Sequence, residues 1–199
     1  AAELIKVLSE QMLGKVGVVR PTFEEYPNRM MPEQVVVYET EAPDFSYSAD
    51  DLMTYFADKN IWSLVLINPD NPSGNYISYA DCLRLADWCQ ARDIMLILDE
   101  SFIDFSTEHP TFLNNLILEK YDHLVVIKSI SKSFGVPGLR LGILATSNAA
   151  LMTNLRRAVS IWNINSFAEF FLQILGKYEK SYQEAMDTLR AERSHFVST

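Results

Sequence analysis

The sequence contains few of the residues that several classes of site require. There are two cysteines, Cys82 and Cys89, and three histidines, His109, His123 and His195. The cysteines lie seven positions apart on a predicted helix and form no Cys-X-X-Cys pair, so we interpret both as small core residues. The histidines lack the spacing of metal ligands, and the sequence therefore predicts no metal site.

Positive charge is also scarce. Lys and Arg number 17 against 26 Asp and Glu, which gives a formal net charge of -9. Binding of nucleic acid normally needs a basic patch, and no run rich in Lys or Arg occurs, so we expect no nucleic-acid partner. No apolar run approaches the ~20 residues that cross a bilayer, and no signal peptide is recognisable. We therefore expect no membrane partner and a cytoplasmic location.

Apolar sequence is abundant, at 48% of the 199 residues, which is enough for a sizeable core. Strands are predicted at 16–19, 35–38, 63–67, 94–98, 124–127 and 140–145. Helices are predicted at 1–13, 22–30, 50–59, 78–92, 115–120, 149–157 and 166–193. Because strands alternate with helices and the central strands are continuously apolar, the sequence predicts an α/β fold, a three-layer α/β/α sandwich with a mostly parallel sheet.

Two of the predicted helices begin with a capping signal. Thr22, followed by Glu25 three positions later, has the pattern of a capping box. Asn148 precedes the helix at 149–157 and is of the residue type that accepts hydrogen bonds from free helix N–H groups.

The stretch 129–142 combines a lysine with side chains that bind anions. It contains Lys132, the hydroxyls of Ser129 and Ser131, and Arg140. A lysine at the end of a buried strand is expected to lose solvation, which lowers its pKa and makes the amine a nucleophile toward aldehydes. The serines and the arginine supply donors for a phosphate. An aldehyde that carries a phosphate points to pyridoxal 5'-phosphate (PLP); the alternative is a lysine in an ordinary polar loop.

Two more polar residues follow apolar strands. Asp99 ends the run 94–98, where a carboxylate is either a cap or loop anchor, or the partner of a protonated ring nitrogen. Asn71 lies in a Pro-Asp-Asn-Pro turn, where it is either structural or a donor to a phenolate oxygen. Ligands of parallel sheets bind at the carboxyl ends of the strands, so we expect these residues to lie near Lys132.

Three ordered motifs resemble the signatures of the class I/II, fold-type I PLP-dependent aminotransferases. The motifs are Asn71-Pro72-Ser73-Gly74, Asp99-Glu100-Ser101-Phe102 and the stretch 129–142. Within that family the chain resembles the subgroup of histidinol-phosphate aminotransferase and threonine-phosphate decarboxylase. The resemblance covers nearly the whole chain and implies the large PLP-binding domain of this fold type, with PLP as the cofactor.

The resemblance implies roles for the residues around the cofactor ring. Lys132 matches the lysine that forms the Schiff base and later moves a proton, and Asp99 matches the carboxylate paired with the pyridine nitrogen. Asn71 matches the donor to the phenolic oxygen, and Phe23 falls where an aromatic ring stacks on the cofactor. At Phe102 many members carry tyrosine, whose hydroxyl donates to the phenolic oxygen; phenylalanine cannot donate and is either a ring contact or a core residue.

The resemblance also implies a phosphate site. Ser129, Ser131 and Arg140 match the family's phosphate ligands, with the arginine eight residues after the lysine. Ala1 and Ala2 match the helix N-terminus whose amides meet the phosphate, a use of the helix dipole that is physically reasonable.

The ends of the chain suggest a fragment of a longer protein. The chain opens inside a helical pattern without an initiator methionine, and it ends just after the long predicted helix. We expect residues 1–165 to form the PLP-binding large domain, truncated at its N-terminal side. Residues 166–199 are then a long helix that leads toward a missing C-terminal small domain.

The activity implied by the resemblance is transamination. An amino group would pass from an amino acid or amino-phosphate donor to a 2-oxo acid through a Schiff base on Lys132. The alternatives are a PLP-dependent decarboxylase of the threonine-phosphate type and a non-catalytic PLP-fold module. We further expect small amino acid and oxo acid substrates and a homodimer of the full-length protein.

Overall fold

The computed structural model describes residues 1–106 and 110–198, so His109 and Thr199 lie outside the described residues. Six strands form one sheet: β1 (Val16–Arg20), β2 (Val35–Glu39), β3 (Ser63–Ile67), β4 (Met95–Asp99), β5 (Leu124–Ser129) and β6 (Gly142–Ala145). Their order across the sheet is β2-β1-β3-β4-β5-β6. All pairings are parallel except that β6 runs antiparallel to β5. The predicted mostly parallel sheet is confirmed.

Eight α-helices accompany the sheet in the described part of the chain. They are α1 (Ala2–Ser9), α2 (Ala49–Phe56), α3 (Tyr79–Gln90), α4 (Asn115–Lys120), α5 (Ile130–Ser133), α6 (Ala149–Ala158), α7 (Ser166–Leu175) and α8 (Glu179–Ser198). Short 3₁₀ turns occur at Pro27–Arg29, Pro32–Gln34, Ile103–Phe105, Pro137–Leu139 and Gly176–Tyr178. No helix among these residues is long and apolar enough to cross a membrane.

The apolar side chains of the strands alternate between two cores, one on each face of the sheet. On one face Leu64, Leu66 and Leu96 pack with residues of α2 and α3. On the other face Val65 and Ile97 pack with residues of α1 and α6. Both faces are therefore covered by helices, and the three-layer α/β/α sandwich predicted from the sequence is confirmed.

The predicted helix at 22–30 is wrong. Thr22 does not cap a helix there; residues 24–26 form a turn, followed by the 3₁₀ turn Pro27–Arg29. Pro27 has no N–H, so it cannot make the backbone bond that a helix begun at Thr22 would need. Glu25 pairs with Arg29, with the Oε1–Nη2 distance at 2.6 Å, instead of closing a capping box.

Other boundaries also follow from local chemistry. The Asn148 side chain accepts a 2.9 Å hydrogen bond from the Leu151 N–H, which confirms it as the cap of α6. The last strand begins at Gly142 rather than Arg140, because Arg140 has a left-handed backbone with φ 58°. The single helix predicted at 166–193 is divided into α7 and α8 by a 3₁₀ turn that starts at Gly176, the poorest helix former after proline.

Candidate active site

The ten residues that the sequence predicted as cofactor contacts all line one cavity of about 130 Å³. They are Ala1, Ala2, Phe23, Asn71, Asp99, Phe102, Ser129, Ser131, Lys132 and Arg140. Four further residues line the same cavity and were missed: Ile5, Ile67, Ser101 and Pro137. Ser101 and Pro137 lie inside the quoted motifs, and Ile67 ends the predicted strand 63–67, so position within a motif or strand was the signal that could have found these three.

The cavity lies at the carboxyl ends of adjacent parallel strands. Asp99 is the last residue of β4, and β5 ends at Ser129 and continues directly into α5, which carries Ser131 and Lys132. The loop after β3 carries Asn71. Since β3, β4 and β5 are hydrogen-bonded neighbours, their ends bring these residues together, as the sheet geometry requires.

The loop that carries Asn71 is held by the residue before it. Asp70 is 6% exposed, and the N–H of Gly74 donates a 3.1 Å hydrogen bond to its carbonyl oxygen. The Ser73 hydroxyl donates to the Asp70 carboxylate. Gly74 has φ 76°, a left-handed conformation that favours glycine. The turn therefore presents Asn71 at the cavity from a fixed backbone.

Asp99 is the most deeply buried charged group of the cavity, at 3% exposure. The Tyr26 hydroxyl donates a 2.8 Å hydrogen bond to its Oδ2, and the Ser101 N–H donates a 2.9 Å bond to its Oδ1. Burial raises the pKa of the Asp99 carboxyl, while the hydrogen bonds from Ser101 and Tyr26 act in the opposite direction. A carboxylate in this setting suits a cationic partner in the cavity.

Lys132 differs from the expectation in one respect. It does not end a buried strand; it lies in α5, just beyond β5, and its side chain is exposed. Its Nζ lies 5.5 Å from the centroid of the Phe102 ring. The half-buried lysine of this region is Lys128 in β5, which pairs with Asp104. The predicted desolvation of Lys132 is therefore wrong for this chain, although its amine does face the cavity.

The remaining donors are suited to an anion. Ser129 and Ser131 are 7% and 6% exposed, and Arg140 lies beside them on the cavity wall. The first turn of α1 adds backbone N–H groups that have no intrahelical partner. The absence of a side chain at Gly142 lets the N-terminal end of α1 lie close to the start of β6, because a Cβ on Gly142 would lie 2.5 Å from the backbone nitrogen of Ala1.

The cavity residues fit PLP by their chemistry. Asp99 can pair with a protonated ring nitrogen, and the Lys132 amine can react with an aldehyde. Arg140, with the serine hydroxyls and the free N–H groups of α1, can bind a phosphate. Phe102 lines the cavity with a ring that carries no hydroxyl.

Comparison with known proteins identifies the family. Residues 3–199 match the family described as aminotransferase class I and II. The chain is 35% identical over 190 residues to CMP-5'-(3-aminopropyl)phosphonate synthase of Streptomyces rubellomurinus, covering 96% of this chain and 30% of that protein. It is 32% identical over 204 residues to L-serine phosphate decarboxylase of Sulfurospirillum multivorans, covering 98% and 52%. The chain thus spans about half or less of the length of these relatives.

Solved structures agree. A decarboxylase from Sulfurospirillum multivorans superposes with a TM-score of 0.85 at 31% identity, covering 98% of this chain and 57% of that one. Histidinol-phosphate aminotransferase and threonine-phosphate decarboxylase, the enzymes of the resemblance, are also among the relatives. The chain belongs to the aminotransferase class I and II family, whose enzymes depend on PLP.

Proposed function

We propose that the complete protein is a PLP-dependent decarboxylase whose substrate is an amino acid with a phosphate or phosphonate group. One observation supports this over transamination. Four relatives that are more than 30% identical are named as serine-phosphate and threonine-phosphate decarboxylases or as a synthase of an aminopropylphosphonate compound. The histidinol-phosphate aminotransferases are 25% and 26% identical. The shared chemistry of the first group is a primary amine together with a phosphorus oxyanion.

The cavity residues have separate roles in the proposed reaction. When bound, PLP supplies a cationic ring that withdraws electrons from the substrate's alpha carbon. Asp99 would keep the proton on the ring nitrogen, and its own position is fixed by the hydrogen bonds from Tyr26 and Ser101. Arg140, Ser129 and Ser131 would bind the cofactor phosphate.

Lys132 has two tasks in the proposal. Its amine would hold the cofactor through the aldehyde carbon. Once the substrate amine had replaced it, the protonated Lys132 ammonium would donate the proton that takes the place of the carboxylate, lost as carbon dioxide, at the alpha carbon. An exposed lysine on a short helix at the cavity has the access to solvent that restores this proton.

Transamination is the second candidate. It is favoured by the match to histidinol-phosphate aminotransferase of Clostridium novyi over 98% of this chain. The same residues serve it, since Lys132 would then remove a proton from the alpha carbon and return it to the former aldehyde carbon. The third reading, a non-catalytic module, is disfavoured because Lys132, Asp99 and Arg140 are all present at one cavity.

The wider architecture forms part of the proposal. We propose that residues 1–165 belong to the large domain and that the segment beginning at α7 leads toward the rest of the protein. The full-length protein is proposed to be a homodimer. Light scattering of the purified full-length protein measures this directly, and a monomer mass would contradict it.

A product assay on the full-length, PLP-loaded protein tests the activity. The substrates are O-phosphoserine, O-phosphothreonine and histidinol phosphate, each with and without 2-oxoglutarate, and products are identified by mass spectrometry. Carbon dioxide and an amine one carbon shorter are the expected products of the phosphoamino acids. Formation of an oxo product that depends on 2-oxoglutarate would replace the decarboxylase with an aminotransferase.

A pair of lysine variants tests the assignment of the nucleophile. Lys132→Ala is expected to abolish turnover and the cofactor that borohydride traps on the protein. Lys177→Ala, at an exposed lysine in the turn Gly176–Tyr178, is the matched control and should change neither. Trapped cofactor that persists in Lys132→Ala would assign the linkage to another lysine.

A further inference from the structure

Tyr26 contacts the cavity's carboxylate from outside the three motifs. It lies in the turn that precedes Pro27–Arg29, and its side chain is 0% exposed. Its hydroxyl donates to Asp99 Oδ2 at 2.8 Å, across a sequence separation of 73 residues. The sequence predicts a helix over this region, whereas the structure has a turn there, so the direction of the Tyr26 side chain does not follow from the sequence.

The Tyr26 ring is fixed by apolar packing. It belongs to the core on the α1 face of the sheet, together with Ile5, Val65, Ile67 and Ile97. A ring enclosed in this way cannot turn its hydroxyl to water, and a buried hydroxyl without a partner is costly. The hydroxyl is therefore held on Asp99 by the packing of the whole face, independently of any ligand.

The two donors to Asp99 fix the carboxylate in a defined plane. Tyr26 donates to Oδ2 and the Ser101 backbone donates to Oδ1, so neither oxygen can rotate without breaking a hydrogen bond. Each carboxylate oxygen retains a further lone pair, and Asp99 lines the cavity. Burial, together with the nearby Asp99 carboxylate, raises the pKa of the Tyr26 hydroxyl well above its ordinary value, which keeps the hydroxyl protonated and able to donate.

We propose that Tyr26 is a positioning residue, which, by donating a hydrogen bond to Oδ2, orients the Asp99 carboxylate in the cavity where it would pair with the ring nitrogen of the cofactor. The inference rests on the role of Asp99 in the proposed function. It adds a residue from a loop of the chain that none of the three motifs includes. Tyr26 itself does not line the cavity, so its action is through Asp99.

A purely structural role for the Tyr26 hydroxyl makes different predictions. A structural hydroxyl would affect the stability of the cofactor-free protein and leave the cofactor's surroundings unchanged. A positioning hydroxyl would also change how tightly PLP binds and where the bound PLP absorbs. Tyr26→Phe separates these roles, because it removes only the hydroxyl and keeps the ring in the core.

The experiment measures PLP affinity and the absorbance maximum of bound PLP in the full-length protein at one fixed pH. Tyr26→Phe is expected to raise the PLP dissociation constant about tenfold, the size of effect that a hydrogen bond to a charged group commonly has, and to shift the maximum. Tyr55→Phe is the matched control: its hydroxyl donates to the Val37 carbonyl at 2.5 Å, on a helix away from the cavity. It should leave both values unchanged.

Asp99→Asn distinguishes failure of this inference from failure of the proposed site. If Asp99→Asn changes neither affinity nor spectrum, the assigned role of Asp99 is wrong. If it changes both while Tyr26→Phe leaves the affinity within twofold and the maximum unmoved, Tyr26 is not a positioning residue. In the Asp99→Asn background, Tyr26→Phe is expected to have less than a twofold effect; an equal effect in both backgrounds would show a structural role and overturn the proposal.

A variant that keeps the hydroxyl covers the case in which Tyr26→Phe does not fold. 3-Fluorotyrosine placed at position 26 retains the ring and the hydroxyl and makes the hydroxyl a stronger donor. A shifted absorbance maximum of bound PLP is the expected result. An unmoved maximum, in protein that unfolds at the same temperature as the parent, would overturn the proposal.

Discussion

Lys128 Nζ and Asp104 Oδ1 lie 2.7 Å apart in an ion pair whose side chains are only 13% and 18% exposed. The pair joins β5 to the 3₁₀ turn Ile103–Phe105. β5 leads into α5, which carries Lys132, and the turn follows the motif 99–102. Asp104→Ala leaves the Lys128 ammonium buried without its partner. We expect it to lower the free energy of unfolding by about 3 kcal/mol, as measured by urea titration.

A double variant provides the control for the ion pair. Lys128→Met with Asp104→Leu removes both charges and keeps apolar volume, so we expect it to be less destabilising than Asp104→Ala alone. A double variant that is as unstable as the sum of its single variants would show that packing, and not the charge pair, holds these residues.

The same pair predicts how stability depends on pH. Burial acts to raise the pKa of the Asp104 carboxyl, but the hydrogen bond from Lys128 and the Lys128 charge act against it, and the pKa lies below its usual value of 3.8. Because the pKa is lower in the folded than in the unfolded protein, the contribution is complete above about pH 4 and is lost as the pH falls through the folded-state pKa. Urea titrations of parent and Asp104→Ala should therefore converge at acid pH.

Gly142 gives a prediction about the helix end at the phosphate site. A Cβ on this residue would lie 2.5 Å from the backbone nitrogen of Ala1 and 2.8 Å from its Cα, so Gly142→Ala must push the start of α1 outward. We expect PLP affinity to fall about tenfold, since the amides of that helix end lose their alignment with the phosphate. A Cβ at Gly138 meets nothing within 4 Å, so Gly138→Ala should leave the affinity unchanged. Equal affinities in all three proteins, measured by absorbance titration, would contradict this.

Much of the fold could be predicted because burial patterns in this chain are strong. The runs 63–67 and 124–127 are apolar throughout, which occurs when both faces of a parallel strand are covered, and both are strands in the structure. The region around Thr22 could not be predicted in the same way. There the sequence has a capping pattern, but Pro27 prevents a regular helix and Glu25 pairs with Arg29, so no helix forms at Thr22.

The part of the candidate site that could be predicted from the sequence consists mainly of residues within the motifs. Residues within the motifs converge on one cavity because parallel strand ends meet. Tyr26 was not predicted as a site residue. Its contact with Asp99 depends on the conformation of a loop and joins residues far apart in the sequence, which motif spacing does not show. The exposure of Lys132 was not predicted either, because the sequence does not show that β5 ends at Ser129 and that a short helix follows.

The two cysteines give a prediction about reactivity. Burial raises the pKa of both thiols to about 12, and their exposures are 1% and 0%. The thiolate is the reactive form, so we expect Cys82 and Cys89 to react with a thiol-specific dye on the order of 1,000-fold more slowly in the native protein than in urea. Rapid labelling of the native protein would show that the helix α3 opens readily.

Phe102 gives a prediction about the electronic environment of the cofactor. It lines the cavity, and its ring centroid lies 5.5 Å from Lys132 Nζ, so Phe102→Tyr adds a hydroxyl to the ring that borders the lysine. A hydrogen bond donated to an ionised oxygen favours the ionised form. We therefore expect the pKa seen in the absorbance of bound PLP to fall by about one unit in Phe102→Tyr.

The control for this substitution is Phe105→Tyr, in the adjacent 3₁₀ turn. Phe105 lies beside Phe102, with ring centroids 6.2 Å apart, but does not line the cavity. Its added hydroxyl should leave the absorbance titration unchanged. If Phe102→Tyr titrates like the parent as well, its hydroxyl does not reach the cofactor oxygen, and Phe102 acts through packing alone.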